Sequence, residues 1–234
     1  MMNKENCPFC DNFDLHRQNV ANLIPEWRGT SLTVAESPHL VVVAEPYPIV
    51  PNPYYLIVPR EHNNSFADVS PRYDGEMSKI MYFLQNLSGT NEFVLFEHGD
   101  RQDSERKTKS ISHAHAHFIP IDGNLNILSW IEDQLRNYGV KPNLVEFEDL
   151  GVIRQLQNKV GEEDYLLFRR GGKGLLMLDG SESYELLPSQ LFRRFLAERF
   201  DPNRPFINWK EQTEEGRKIF QKRLTTLLPR ESIQ

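Results

Sequence analysis

The 234-residue chain is 39% hydrophobic and 11% aromatic, a composition that supports one large packed domain, or a domain with an extension, and excludes a disordered chain. A net charge of −6 argues against a general nucleic-acid binder, although local positive charge or dipoles suffice for a small phosphate ligand. No apolar run nears the roughly 18 residues that span a bilayer, and the first residues lack an apolar signal core, so no membrane partner and a cytoplasmic location are expected.

Residues 1–20 are polar apart from the Cys7 and Cys10 stretch. "LTVAES" (32–37) and "HLVVVAEP" (39–46) predict two strands of a hairpin turned at Ser37-Pro38. The proline-rich "PYPIVPNP" (46–53) predicts an extended loop, because proline cannot donate to a central ladder. A strand follows at 54–61. Ser70 and Pro71 are suited to the N-cap and first position of a helix running to about Leu87, with Met77, Ile80, Met81, Leu84 and Leu87 at helical spacing. Strands are predicted at 92–99 and 111–120, on either side of a charged loop (100–110). This order, β-β-β-α-β-β, predicts an α+β fold on an antiparallel sheet. After Gly123 the character changes. Helices are predicted at about 125–137, 147–160, 188–200 and 211–227, and two short strands, "YLLFRR" and "GLLMLDG", flank a Gly171-Gly172 turn. Residues 1–123 and 124–234 are therefore expected to be a catalytic domain and a mainly helical extension.

The chemistry concentrates in two places. Cys7 and Cys10 are too close together to staple a fold, and in a reducing compartment the spacing suits half of a metal site or a redox pair. In "SISHAHAHFIP" (110–120), His113, His115 and His117 alternate with Ala114 and Ala116. In a strand the three imidazoles share one face, and the alanines leave room for close packing behind. Three adjacent imidazoles are poorer core material than valine or isoleucine. The alternatives are an exposed polar strand face, one open metal site held by all three histidines, or a catalytic site.

"HAHAHFI" resembles the His-x-His-x-His-x-x pattern of the histidine triad (HIT) superfamily of nucleotide hydrolases and transferases. "AEPYPIVPNPYYLIVPREH", "FEHGD" and "CPFC" are similar to further stretches of the family, and together they cover roughly residues 5–122. The resemblance implies a HIT-like antiparallel sheet with a packed helix, and a nucleotide-containing small-molecule substrate. His115 would attack the α-phosphorus and form a nucleotidyl-histidine intermediate, a role suited to a neutral imidazole. His117 would stabilise the phosphate oxygens, and Ser110 would hydrogen-bond near the leaving-group oxygen. It also implies that Cys7, Cys10, His62 and His113 hold a structural zinc ion, since two thiolates and two imidazoles form a closed tetrahedral set. A two-fold dimer is expected on the same ground.

The sequence departs from the pattern at Tyr54, at His98 and in the loop from Asp100 to Lys109. Tyr54 stands where the family has a histidine, and it can donate a hydrogen bond but carries no positive charge at pH 7. His98 stands where many members have asparagine, and either replaces that imidazole or holds the loop. Lys107 and Lys109 reach polyphosphate or form part of a solvated charge run. Glu45 falls near the acidic residue that holds the ribose hydroxyls, and Leu40 and Val42 either flank a base or belong to the core. In the second half, Arg193 and Arg194 read as a solvated helix face, with a phosphate clamp as the alternative. The resulting expectation is a nucleotide phosphoanhydride or phosphoramidate hydrolase or nucleotidyltransferase. The alternative is a non-catalytic nucleotide-binding or sensing protein on the same fold.

Overall fold

A computed structural model of the chain describes residues 7–10, 31–50, 52–101, 111, 113–148, 152–178 and 187–203, together with Lys218 and Lys222. Ser110, Lys107, Lys109 and most of the helix predicted at 211–227 lie outside the described residues.

The strands are β1 (Thr33–Glu36), β2 (Leu40–Ala44), β3 (Tyr55–Pro59), β4 (Phe93–Gly99), β5 (Ala116–Pro120), β6 (Asn143–Glu146), β7 (Tyr165–Arg170) and β8 (Lys173–Leu178). The helices are α1 (Asp74–Ser88), α2 (Ile127–Asn137), α3 (Val152–Val160) and α4 (Leu191–Phe200). All eight strands form one sheet in the order β1-β2-β3-β5-β4-β7-β8-β6, and every pairing is antiparallel.

Strands β2, β3 and β5 are buried along their whole length because both faces of the sheet are covered. On one face α2 and α4 pack Ile131, Leu135, Phe192 and Leu196 against Tyr54, Phe96 and Phe168. On the other, α1 and α3 pack Met77, Leu84, Ile153 and Leu156 against Leu40, Val42, Phe118 and Leu167. Leu40 and Val42 are therefore core residues. Ala114 and Ala116 belong to this second cluster, so the alanines of the triad do admit close packing behind the histidines.

Four sequence expectations are corrected. The histidine stretch enters the β5 ladder only at Ala116. Before that, the backbone is held elsewhere: the Ala114 N–H donates to the Asn63 carbonyl at 2.6 Å, and the His113 carbonyl accepts from a side chain, His115 Nδ1, at 2.7 Å. Ser70 makes no side-chain cap, and Pro71–Tyr73 is a 3₁₀ turn that leads into α1 at Asp74. The helix predicted from 147 begins at Val152, because the Phe147 N–H donates to the Gly172 carbonyl and prolongs the β6 edge. The segment after 123 is helical in α2, α3 and α4, but it also supplies β7, β8 and the unpredicted β6 to the common sheet.

Candidate functional site

The N-terminal CxxC closes on the sheet. Cys7 Sγ lies 3.3 Å from His113 Nδ1, and Cys10 Sγ lies 3.2 Å from His62 Nδ1 and 3.8 Å from His113 Nδ1. All four ligand atoms lie within 4.8 Å of one another. A tetrahedral zinc ion with ordinary Zn–S and Zn–N bonds holds its ligand atoms roughly 3.3–3.8 Å apart, so the set fits such an ion. His113 Nε2–H donates to the Pro59 carbonyl at 2.7 Å, which leaves the Nδ1 lone pair aimed at the sulfurs. Burial holds the His113 imidazole down at about 4, in the neutral form that binds a metal. Cys7, Cys10, His62 and His113 could therefore bind a metal such as zinc.

Phe9, between the cysteines' flanking residues, is buried with its ring centroid 5.7 Å from the rings of both His113 and His115. The stretch that carries the two cysteines thus also walls the second histidine. His115 is half-buried, and burial lowers its basicity, so the ring is neutral. Its Nδ1 can only donate to the His113 carbonyl, so Nε2 carries the free lone pair.

His117 lies in β5, opposite Leu56 of β3 and Phe96 of β4. The Phe96 ring stacks on it at 4.4 Å and 12°, and the His115 ring stands 5.0 Å away. Burial holds His117 well below its ordinary range. Its Nδ1 lies 2.8 Å from the Tyr54 hydroxyl. Burial also raises Tyr54 well above the usual phenol range, so it is a neutral hydroxyl.

Behind Tyr54 stands Arg193 of α4. Its guanidinium donates to the Tyr47 carbonyl at 2.8 Å, approaches the Tyr54 hydroxyl at 3.4 Å and pairs with Glu45 at 3.4 Å. The second Glu45 oxygen accepts the Tyr47 N–H at 3.0 Å. Arg193 and Glu45 are 6% and 5% exposed, so a solvated helix face is not the setting of Arg193. Helical periodicity misses this residue because its partners arrive from the proline-rich loop. Arg194 donates to the Ser189 carbonyl at 2.9 Å at the start of its own helix.

His98 lies two residues beyond Phe96 on β4 and so shares its face of the strand, with its ring 5.8 Å from that of Phe192. Burial lowers it to about 3. Its Nε2 is shut off from solvent and has no hydrogen-bond partner among the described residues. The structure thus gathers His115, His117, Tyr54, Glu45 and His98 into one neighbourhood and adds Arg193. Ser110 lies outside the described residues.

No family model and no curated protein matches the sequence. Solved structures do. The chain is similar to a galt-like protein from Arabidopsis thaliana, with 10% identity over 78% of this chain and 85% of that one and a TM-score of 0.46. It is similar to an ADP-glucose phosphorylase from Arabidopsis thaliana solved with bound ADP-glucose, with 10% identity over 77% and 83% and a TM-score of 0.45. A HIT family hydrolase from Clostridium thermocellum shares 17% identity over 53% of this chain and 98% of that one, with a TM-score of 0.35. The chemistry rests on the side chains of this chain.

Proposed function

We propose that the protein is a nucleotide phosphoanhydride or phosphoramidate hydrolase or nucleotidyltransferase that works through a nucleotidyl-histidine intermediate on His115. One observation carries this reading: His115 is a neutral ring whose Nδ1–H is committed to the His113 carbonyl, which leaves Nε2 as a lone pair beside a second imidazole. The Nε2 lone pair attacks the α-phosphorus and forms an N–P bond. The P–O or P–N bond to the leaving group breaks, and its electron pair departs with that group, which then takes a proton. Water or another acceptor next attacks the phosphorus, loses a proton, and the N–P electron pair returns to Nε2. His117 attends the phosphate oxygens as charge develops, and Ser110 is assigned to the leaving-group oxygen. His98 is assigned to substrate as well, since its buried Nε2 has no other partner among the described residues. Glu45 and Tyr54 contribute to the substrate end of the site through their neighbours. A zinc ion would be held by Cys7, Cys10, His62 and His113 and would supply a structural tie between the cysteine stretch and the sheet.

The test is hydrolysis of AMP-linked anhydrides and phosphoramidates by wild type and His115→Asn. A fall of at least 10³-fold in kcat is expected for the variant, as for loss of a nucleophile. Equal rates sink the assignment, and a wild type that binds nucleotides yet is inert toward all of these esters favours the binding or sensing alternative.

A further inference from the structure

Residues 124–234 contain no histidine, yet one of their side chains reaches the histidine cluster. Arg193 is buried beneath Tyr54, and Tyr54 is bonded to His117. Resting on the reading of this cluster as a phosphoryl-transfer site, we infer that Arg193 is a positioning residue: through Tyr54 it holds His117 in the tautomer with its proton on Nε2, so that the ring presents a donor to the phosphate oxygen.

A guanidinium has donors only and stays charged in proteins. Wherever Arg193 meets Tyr54, then, the phenolic oxygen accepts. The guanidinium cannot swing away, because the Tyr47 carbonyl holds one nitrogen at 2.8 Å and Glu45 holds another at 3.4 Å. Glu45 is itself fixed by the Tyr47 N–H. The hydroxyl hydrogen of Tyr54 must then go to an acceptor, since the group is fully buried. Among the described residues, His117 Nδ1 at 2.8 Å is the acceptor within its reach. The opposite arrangement has His117 Nδ1–H donating to Tyr54. It strands the phenolic hydrogen, without an acceptor, beside the hydrogens of a cation. A neutral ring carries one proton, so the proton of His117 sits on Nε2. Phe96, stacked at 4.4 Å, keeps the ring from turning over and exchanging its nitrogens.

The two adjacent rings are thereby made opposite. His115 has its proton on Nδ1 and a lone pair on Nε2; His117 has its lone pair on Nδ1 and a donor at Nε2. A nucleophile and a donor side by side match an attack on phosphorus with stabilisation of the oxygen that gains charge. Glu45 in this scheme holds the arginine, and α4 completes the site from the far end of the chain.

The test reads the tautomer directly. Long-range proton–nitrogen spectra are recorded on the full zinc-loaded chain labelled with ¹⁵N-histidine, with His117 assigned by the loss of its signals in His117→Gln. Wild type is expected to show a protonated Nε2 and an unprotonated Nδ1 at His117. Arg193→Met and Tyr54→Phe are expected to shift both nitrogens toward tautomer-averaged values, and kcat on a nucleotide ester is expected to fall by roughly tenfold or more with KM nearly unchanged. Arg193→Lys keeps a donor on Tyr54, and it is expected to keep the Nε2–H tautomer and much of kcat. If Arg193→Met does not fold, Tyr54→Phe, which removes a single oxygen, decides. A wild-type His117 protonated on Nδ1 overturns the inference, as does an unchanged tautomer in the variants. Because the spectra need no substrate, a wild type inert toward nucleotide esters would count against the proposed reaction while the spectra still decide the role of Arg193.

Discussion

Glu97, on β4 beside His98, is a buried carboxyl that the proposed chemistry leaves unused. Its Oε1 accepts the Phe66 N–H at 2.7 Å and its Oε2 accepts the Tyr165 hydroxyl at 2.6 Å. Burial outweighs these two donors and pushes the carboxyl up to about 7. The folded state therefore holds this proton more tightly than the unfolded chain does. The associated stability is complete below the ordinary carboxylate range and is lost as pH rises through about 7. Glu97→Gln removes that dependence. Unfolding of wild type and variant, compared from pH 4 to 8, is expected to show the variant gaining on wild type by on the order of 3 kcal/mol with rising pH, levelling off above neutrality. The histidines and metal ligands titrate in both proteins and cancel in the difference. A flat difference would mean that Glu97 is not the buried proton. At the metal cluster, Cys7→Ser is expected to remove zinc from the purified protein while His115→Ala retains one ion per chain, as metal analysis would show. Loss of zinc in both would place His115 among the ligands.

Among the elements, β4 carries the greatest burden, because it joins the histidine strand β5 on one side to β7 on the other. Its last residue, Gly99, pairs with Tyr165, and a Cβ there would overlap the tyrosine ring. That ring is buried and tied to Glu97, so it has nowhere to swing. Gly99→Ala is expected to lower stability by about 1–3 kcal/mol, the usual cost of overpacking, in a denaturant titration. The unbroken apolar runs of β2, β3 and β4 and the spacing of α1 were legible in the sequence because local pattern determines them. The 143–146 strand was not: three of its four residues are solvent-exposed, so no buried period marks it. Arg193 was not legible either. On a helix it reads as part of the polar face, and its burial depends on Tyr47, 146 residues away. The CxxC and the run of alternating histidines were visible in side-chain identity and spacing, whereas the grouping of His62 and His113 with Cys7 and Cys10 was implied by the family resemblance, and the structure brings those four ligand atoms within 4.8 Å of one another.

For the whole molecule, the continuous sheet bears on where the chain can be divided. Both apolar clusters draw residues from each side of Gly123. A chain ending at Gly123 would expose the β4 edge that pairs with β7 from Val94 to Gly99, and would lose Phe168, Phe192 and Leu196 from the histidine face. Such a chain is expected to be aggregated or unfolded by size-exclusion chromatography and circular dichroism. A soluble, cooperatively melting fragment would show that the first half is a self-sufficient domain.

The zinc-type cluster also constrains the order of folding. Cys7 meets His113 across 106 residues, and Cys10 meets His62 across 52. Closures of that span carry a loop-entropy cost that is recovered only once the ends are already held near each other, after β3 and β5 have paired. Until then the two thiols, three positions apart, remain exposed to each other and to oxidants. The four-residue set is therefore expected to close late, once the strands that carry its histidines are in place. The wall that Phe9 places beside His115 is carried on the same short stretch as the two cysteines, so the second histidine is walled only when that stretch is seated on the sheet.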